Sequence, residues 1–210
     1  MRPEHLSRLR RVVFLAALAP ALWLAWALFA DRLGANPFEA LTRRSGEWAL
    51  RFLLLTLLMT PLRDWTGWRW PPRLRRMLGL YAFFYAALHL LTWLWFDQFF
   101  DWAAIGEDIV KRPFITAGMG ALQILLVLAA TSPRAMMRRL GRRWKPLHRA
   151  VYAAVPLAVL HHFWLVKADL FWPAVYGALA GLLLAHRLWR RYGPWPTAGS
   201  LGQAPVRRGP

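Results

Sequence analysis

A chain of 210 residues, 58% of them hydrophobic and 18% charged, is the size of one domain and more apolar than a soluble one. Its formal net charge of +18 does not mark a nucleic-acid binder, because the basic residues fall between apolar runs and segregate by side. It has no cysteine, which excludes disulfides, cysteine-held iron–sulfur clusters, thiolate-ligated haem and c-type haem attachment, and leaves histidine as the main metal ligand.

Six apolar segments are predicted in chain order, at 12–30, 48–62, 76–96, 114–131, 148–166 and 171–189, each near the ~20 residues that cross a bilayer. The first is too long for a signal-peptide core and has no small-x-small site directly preceding Asp31, so it reads as a retained span. The second is short and is expected to stop at Pro61. The third carries His89 between Leu88 and Leu90, and its Tyr81, Phe84 and Tyr85 read as packing. The fifth carries His148 in KPLHRAVY, then Pro156, then His161 and His162. Tryptophans cluster near the segment ends, where indole favours the headgroup layer. No internal repeat stands out. The tail 193–210 is rich in Pro and Gly and is expected to be disordered.

Of the 28 Lys and Arg, 21 fall on one side: the N-terminus, the loops after segments two and four, and the tail. The other side holds Arg32, Arg43, Arg44, Arg51, Lys111, Arg112 and Lys167, together with every acid except Glu4 and Asp64. The positive-inside rule then puts both termini in the cytoplasm, which an even number of spans requires. The predicted fold is an all-α polytopic membrane protein with six transmembrane helices. It comprises a cytoplasmic N-terminus at 1–11, a helical domain at 12–192 and a cytoplasmic tail at 193–210.

Ionisable residues inside a membrane are functional candidates, and neutral imidazole is a good ligand for haem iron. His161 and His162 lie about 20 Å along the helix axis from His148, enough to place one haem near each face of a ~30 Å core. His89 falls about 20 Å from the cytoplasmic start of its own segment, level with the pair. A bis-imidazole haem between segments three and five is therefore reasonable near the outer face. At ~100° per residue, ideal geometry returns His162 rather than His161 to the face of His148, but Pro156 is expected to kink the helix between them. The inner site is less complete. Arg75 stands fourteen residues before His89, where a symmetric stack would have a second histidine. Arg75 and Arg76 suit haem propionates, an inner-haem contact or a flavin phosphate. His186 is a further option but also reads as interfacial, His148 equally suits a headgroup-facing place, and His5 reads as a solvated terminal residue.

Six strings, LGANP (33–37), TLLMTPLR (56–63), RRMLGLYAFFYAALHL (75–90), KRPFITAGMG (111–120), RRLGRRWKPLHRAVY (138–152) and HHFWLVK (161–167), resemble the MsrQ (YedZ) family in identity and order. The resemblance implies the ferric-reductase-like transmembrane superfamily, related to the membrane part of NADPH oxidases, and b-type haem, one or two per chain. It places the family's iron-ligating histidines at His89, His148 and His161, the last by register with the following W-x-V-K, and leaves His162 as the alternative ligand. Arg75 takes the family's arginine position. The family is also described as using FMN, for which no phosphate-cradling motif is visible here.

The function so implied is electron relay in the bacterial inner membrane. Electrons would pass from the quinone pool, a flavin or a cytoplasmic flavin reductase, through haem, to the periplasmic molybdenum-cofactor subunit MsrP, which repairs methionine sulfoxide in periplasmic proteins. The chain would be an electron-transfer subunit, with lipid and this partner but no nucleic acid as contacts and no sulfoxide-reducing site of its own. The acidic outer loops 31–47 and 97–113 are the docking candidates. The alternatives are a ferric or superoxide-type reductase served by a separate flavoprotein, since about twenty residues follow the last span, and a haem-free transporter or scaffold.

Overall fold

The computed structural model describes residues 3–166 and 169–192, and these form helices with short connections and no strand. The elements are α1 (Pro3–Phe29), α2 (Pro37–Thr66), α3 (Pro71–Thr92) continuing into a π-helical turn (Trp93–Asp97), α4 (Trp102–Lys111), α5 (Pro113–Ala130), α6 (Arg134–Leu140), α7 (Trp144–His148), α8 (Val151–Leu165) and α9 (Phe171–Tyr192). The predicted tail 193–210 lies outside the described residues, as does Lys167.

Local chemistry sets the helix ends. The Asn36 side chain accepts from the Glu39 amide at 3.3 Å and donates to the Glu39 carboxylate at 3.0 Å, a reciprocal cap on α2, while Pro37 occupies the first turn, where no amide is needed. Gly67 closes α2 in the left-handed region at φ 71°, its amide on the Arg63 carbonyl. The outer segments expected as loops are thus largely helical: α2 begins at Pro37, inside 31–47, and α4 fills most of 97–113.

The expected stop at Pro61 does not occur, and α2 runs for 30 residues through it. Proline removes the bond that would reach the Leu57 carbonyl. That carbonyl accepts instead from Arg187 Nη2 of α9 at 2.9 Å, and the same nitrogen donates to Thr60 Oγ1 at 3.0 Å. A side chain also enters the backbone ladder of α1 beside Pro20. The fully buried Tyr85 hydroxyl enters the α1 ladder, donating to the Ala17 carbonyl at 2.8 Å and accepting from the Ala21 amide at 3.0 Å. One turn away, Tyr81 donates to the Phe14 carbonyl at 2.8 Å.

Helices α2, α3, α5 and α8 form the centre, with α2–α3 and α5–α8 the two most extensive pairings, α1 against α2 and α3, and α9 against α8 and α2. Tyr85, Leu53, Leu57, Ala82, Ala154 and Val155 are sealed in the core. The outside is also apolar: Leu15, Leu22 and Trp26 on α1, Leu126 on α5, and Leu182 and Trp189 on α9 are exposed, a surface suited to hydrocarbon. By length and composition, three described helices can cross a membrane: Glu4–Phe29, Pro71–Asp97 and Pro113–Ala130. Val151–Leu165 is apolar but has 15 residues.

The fifth apolar segment is not one helix. The chain turns at Arg149–Ala150 between α7 and α8, with three-residue closures from Tyr152 N to Arg149 O and Ala153 N to Ala150 O, both 2.9 Å. This tightened turn, together with Pro156 inside α8, departs from the ideal-helix relation between His148 and His162.

Candidate functional site

His89, near the end of α3, and His161, near the end of α8, meet with ring centroids 5.9 Å apart and planes at 73°. Each is pinned through Nδ1. His89 Nδ1 donates to the Thr42 carbonyl of α2 at 2.8 Å, and His161 Nδ1 donates to the Phe114 carbonyl of α5 at 2.7 Å. A carbonyl only accepts, so each Nδ1 carries the proton and the neutral ring's lone pair sits on Nε2. A hydrogen bond of this kind orients an imidazole ligand and raises its basicity.

Both rings line a cavity of about 630 Å³ among α2, α3, α5 and α8, within the roughly 300–1,000 Å³ of small-molecule and cofactor sites. Leu50, Leu53, Leu122 and Leu125 supply apolar wall, and Glu39, Arg43, Asp97, Arg112 and Asp169 supply charge. The arginines already have partners: Arg43 lies 3.8 Å from Glu39, and Arg112 lies 3.1 Å from Asp108.

His162 also lines the cavity but turns toward α9, its ring edge-on to Tyr176 at 5.6 Å and its Nε2 buried without a partner. Tyr176 accepts from Arg51 Nε at 2.9 Å, and Arg51 pairs with Glu47 at 2.7 Å. The structure therefore brings His89 to His161 and directs His162 elsewhere.

His148 ends α7, just before the N-terminus of α8, and stacks on Trp144 with centroids 4.1 Å apart. The Thr131 hydroxyl lies 2.7 Å from the Val127 carbonyl and shares a 3.1 Å hydrogen bond with His148 Nε2. Arg75 is half-buried and within electrostatic reach of both His148 and Arg187, whereas Arg76 is exposed. His186 lies 3.8 Å from Asp64 and edge-on to Trp65, with Nδ1 buried, and His5 is exposed.

Four residues escaped the sequence reading: Thr42 and Phe114, which contribute only carbonyls, and Gly46 and Gly118, which lie against the two rings. A signal existed. The strings SGEWAL (45–50) and AGMGAL (117–122) carry the two glycines in one pattern, so a local repeat is present where none was expected.

A b-type haem fits these residues. The Nε2 lone pairs of His89 and His161, presented from separate helix pairs, would hold its iron, and the group would supply one-electron redox chemistry. Among the described residues no three His, Cys, Asp or Glu gather around a point, so a bare ion would find only the two imidazoles here.

Comparison with known proteins agrees with this architecture. Residues 45–159 match the family model described as the ferric reductase like transmembrane component. Over 200 residues, the chain is 54% identical to the protein-methionine-sulfoxide reductase heme-binding subunit MsrQ of Azospira oryzae, covering 93% of this chain and 86% of that one. It is 55% identical over 184 residues to the protein of the same name from Rhodospirillum rubrum, covering 87% and 88%. The Bordetella pertussis relative is 48% identical over 193 residues, covering 90% and 94%. With a family model spanning the central bundle and relatives this close along most of its length, the chain belongs to the MsrQ family of ferric-reductase-like transmembrane proteins.

Proposed function

We propose that this chain is a six-span, b-type cytochrome subunit of the inner membrane. It accepts electrons from the quinone pool or a flavin donor and delivers them to MsrP, which reduces methionine sulfoxide in periplasmic proteins. The meeting of His89 and His161 in one cavity, each fixed through Nδ1, carries this reading. Bound there, haem supplies one-electron chemistry. The protein's part is to hold the two rings, keep their Nε2 atoms unprotonated and exclude bulk water. Arg43 and Arg112 are the cationic groups placed to meet propionates at this end.

Six spans follow if α2, α8 and α9 cross with the three strongly apolar helices. Two arginines that lower the hydropathy of α2 and α9 find partners inside the bundle, Arg51 in Glu47 and Tyr176, and Arg187 in Leu57, Thr60 and Tyr152, with Arg187 Nε left buried and unbonded. The basic clusters then put the His148 end in the cytoplasm and the His89 end toward the periplasm, with α4 and its Glu107 and Asp108 near the partner. A second, inner haem held by His148 requires its Nε2 to exchange the Thr131 hydroxyl for iron; Arg75, Arg76 and Arg187 are the nearby charges for propionates or an FMN phosphate.

Pyridine haemochrome quantification of wild-type protein against His89→Ala, His148→Ala, His161→Ala and His162→Ala tests this. Loss of most haem in the His89 and His161 variants is expected. Full loading of either would overturn the assignment, and a colourless wild type made with ample haem would overturn the function.

A further inference from the structure

The two histidine seats are the same device used twice. In each, the ring donates to a carbonyl 47 residues earlier in the chain. Four residues after each carbonyl comes a glycine under the ring, and one shift of 72 residues relates both seats (42 to 114, 46 to 118, 89 to 161). We propose that Gly46 and Gly118 are positioning residues that set the plane and the Nδ1 hydrogen bond of the His89 and His161 imidazoles, an assignment that rests on the haem reading above.

The argument is steric. A Cβ at Gly46 would fall 2.9 Å from His89 Nδ1 and 3.1 Å from its Cε1; at Gly118 the distances to His161 Nδ1 and Cε1 would be 2.7 and 3.0 Å. The two Nδ1 distances are closer than such atoms approach, and the Cε1 distances are tighter than most Cβ contacts. The obstructing atoms belong to a ring held by its hydrogen bond, not to the free end of a flexible chain. Alanine must therefore rotate the ring or lift it from the carbonyl. Not every glycine of the bundle is so placed: at Gly120 the nearest atom would be Leu157 Cδ1 at 3.5 Å, and at Gly177 it would be Val159 Cγ1 at 3.7 Å, both ordinary contacts. The close approach is specific to the two histidines.

Weakening the Nδ1 bond lowers the basicity of an imidazole ligand, which favours ferrous over ferric iron. In the full-length, haem-loaded protein, Gly46→Ala and Gly118→Ala should raise the midpoint potential and change the low-spin EPR g-values, Gly118→Ala more because its contact is shorter. Gly120→Ala, on the same helix, should match wild type. Seat variants with wild-type potential and EPR signals, or an equal shift in Gly120→Ala, would overturn the proposal. If a seat variant accumulates poorly, a thermal-stability cycle decides. Adding Gly46→Ala to His89→Ala, or Gly118→Ala to His161→Ala, should cost nothing further, because the obstructing ring is gone. A full additive loss would overturn the seat. That cycle reads protein contacts alone, so a wild type without haem would end the functional reading while leaving this result intact.

Discussion

At the His89 end of the bundle, two imidazoles give their Nδ1 protons to backbone carbonyls and keep Nε2 for a cavity. At the His148 end, one imidazole stacks on Trp144 and engages Thr131 through Nε2. The side-chain type is the same, but Nδ1 is engaged at one end and Nε2 at the other, so only the first end leaves Nε2 free as the proposed haem site requires. Backbone carbonyls on two separate helices prepare the first site; nothing comparable prepares the second, where the charged neighbours Arg75 and Arg187 suit an anion better than a cation.

The largest test of this contrast is removal of one prepared ring. His161→Ala should lose most of the reduced b-type absorbance, and retention of the wild-type spectrum would erase the difference between the ends. Next is Arg187→Met, which strands the Leu57 carbonyl freed by Pro61 and should destabilise the protein by about 1–3 kcal/mol, read as a lower unfolding temperature in detergent, while the His89-end spectrum persists. His148→Ala should leave that spectrum in place and cost at most the haem of a second site. A complete loss would show that the two ends assemble as a unit. The smallest effect is expected from His162→Ala, with haem content unchanged. If that variant and not His161→Ala lost the pigment, the ligand would be the neighbour facing Tyr176.

The positions of the chemistry were legible because histidine is conspicuous among leucines, and His89 and His161 do meet as the level of the two segments suggested. Choosing between His161 and His162 was beyond helix geometry, since the turn at Arg149–Ala150 resets the angle; register with the family string gave His161. The length of α2 was misread for a different reason. A proline reads locally as a stop, but the Leu57 carbonyl that it leaves unpaired is satisfied by Arg187, 130 positions away, which no local pattern reports. The cap at Asn36 was readable from Asn-Pro-x-Glu and was overlooked. The histidine seats are built from main-chain oxygen and the absence of a side chain, so the identities of Thr42 and Phe114 said nothing of their role.

The phenol of Tyr85 wedged into α1 bears on assembly. Its hydroxyl joins the Ala17 carbonyl and the Ala21 amide of α1 inside an apolar bundle, where no water can stand in for either. The first helix is thereby latched to the third, and letting go would leave the phenol hydroxyl stranded in oil.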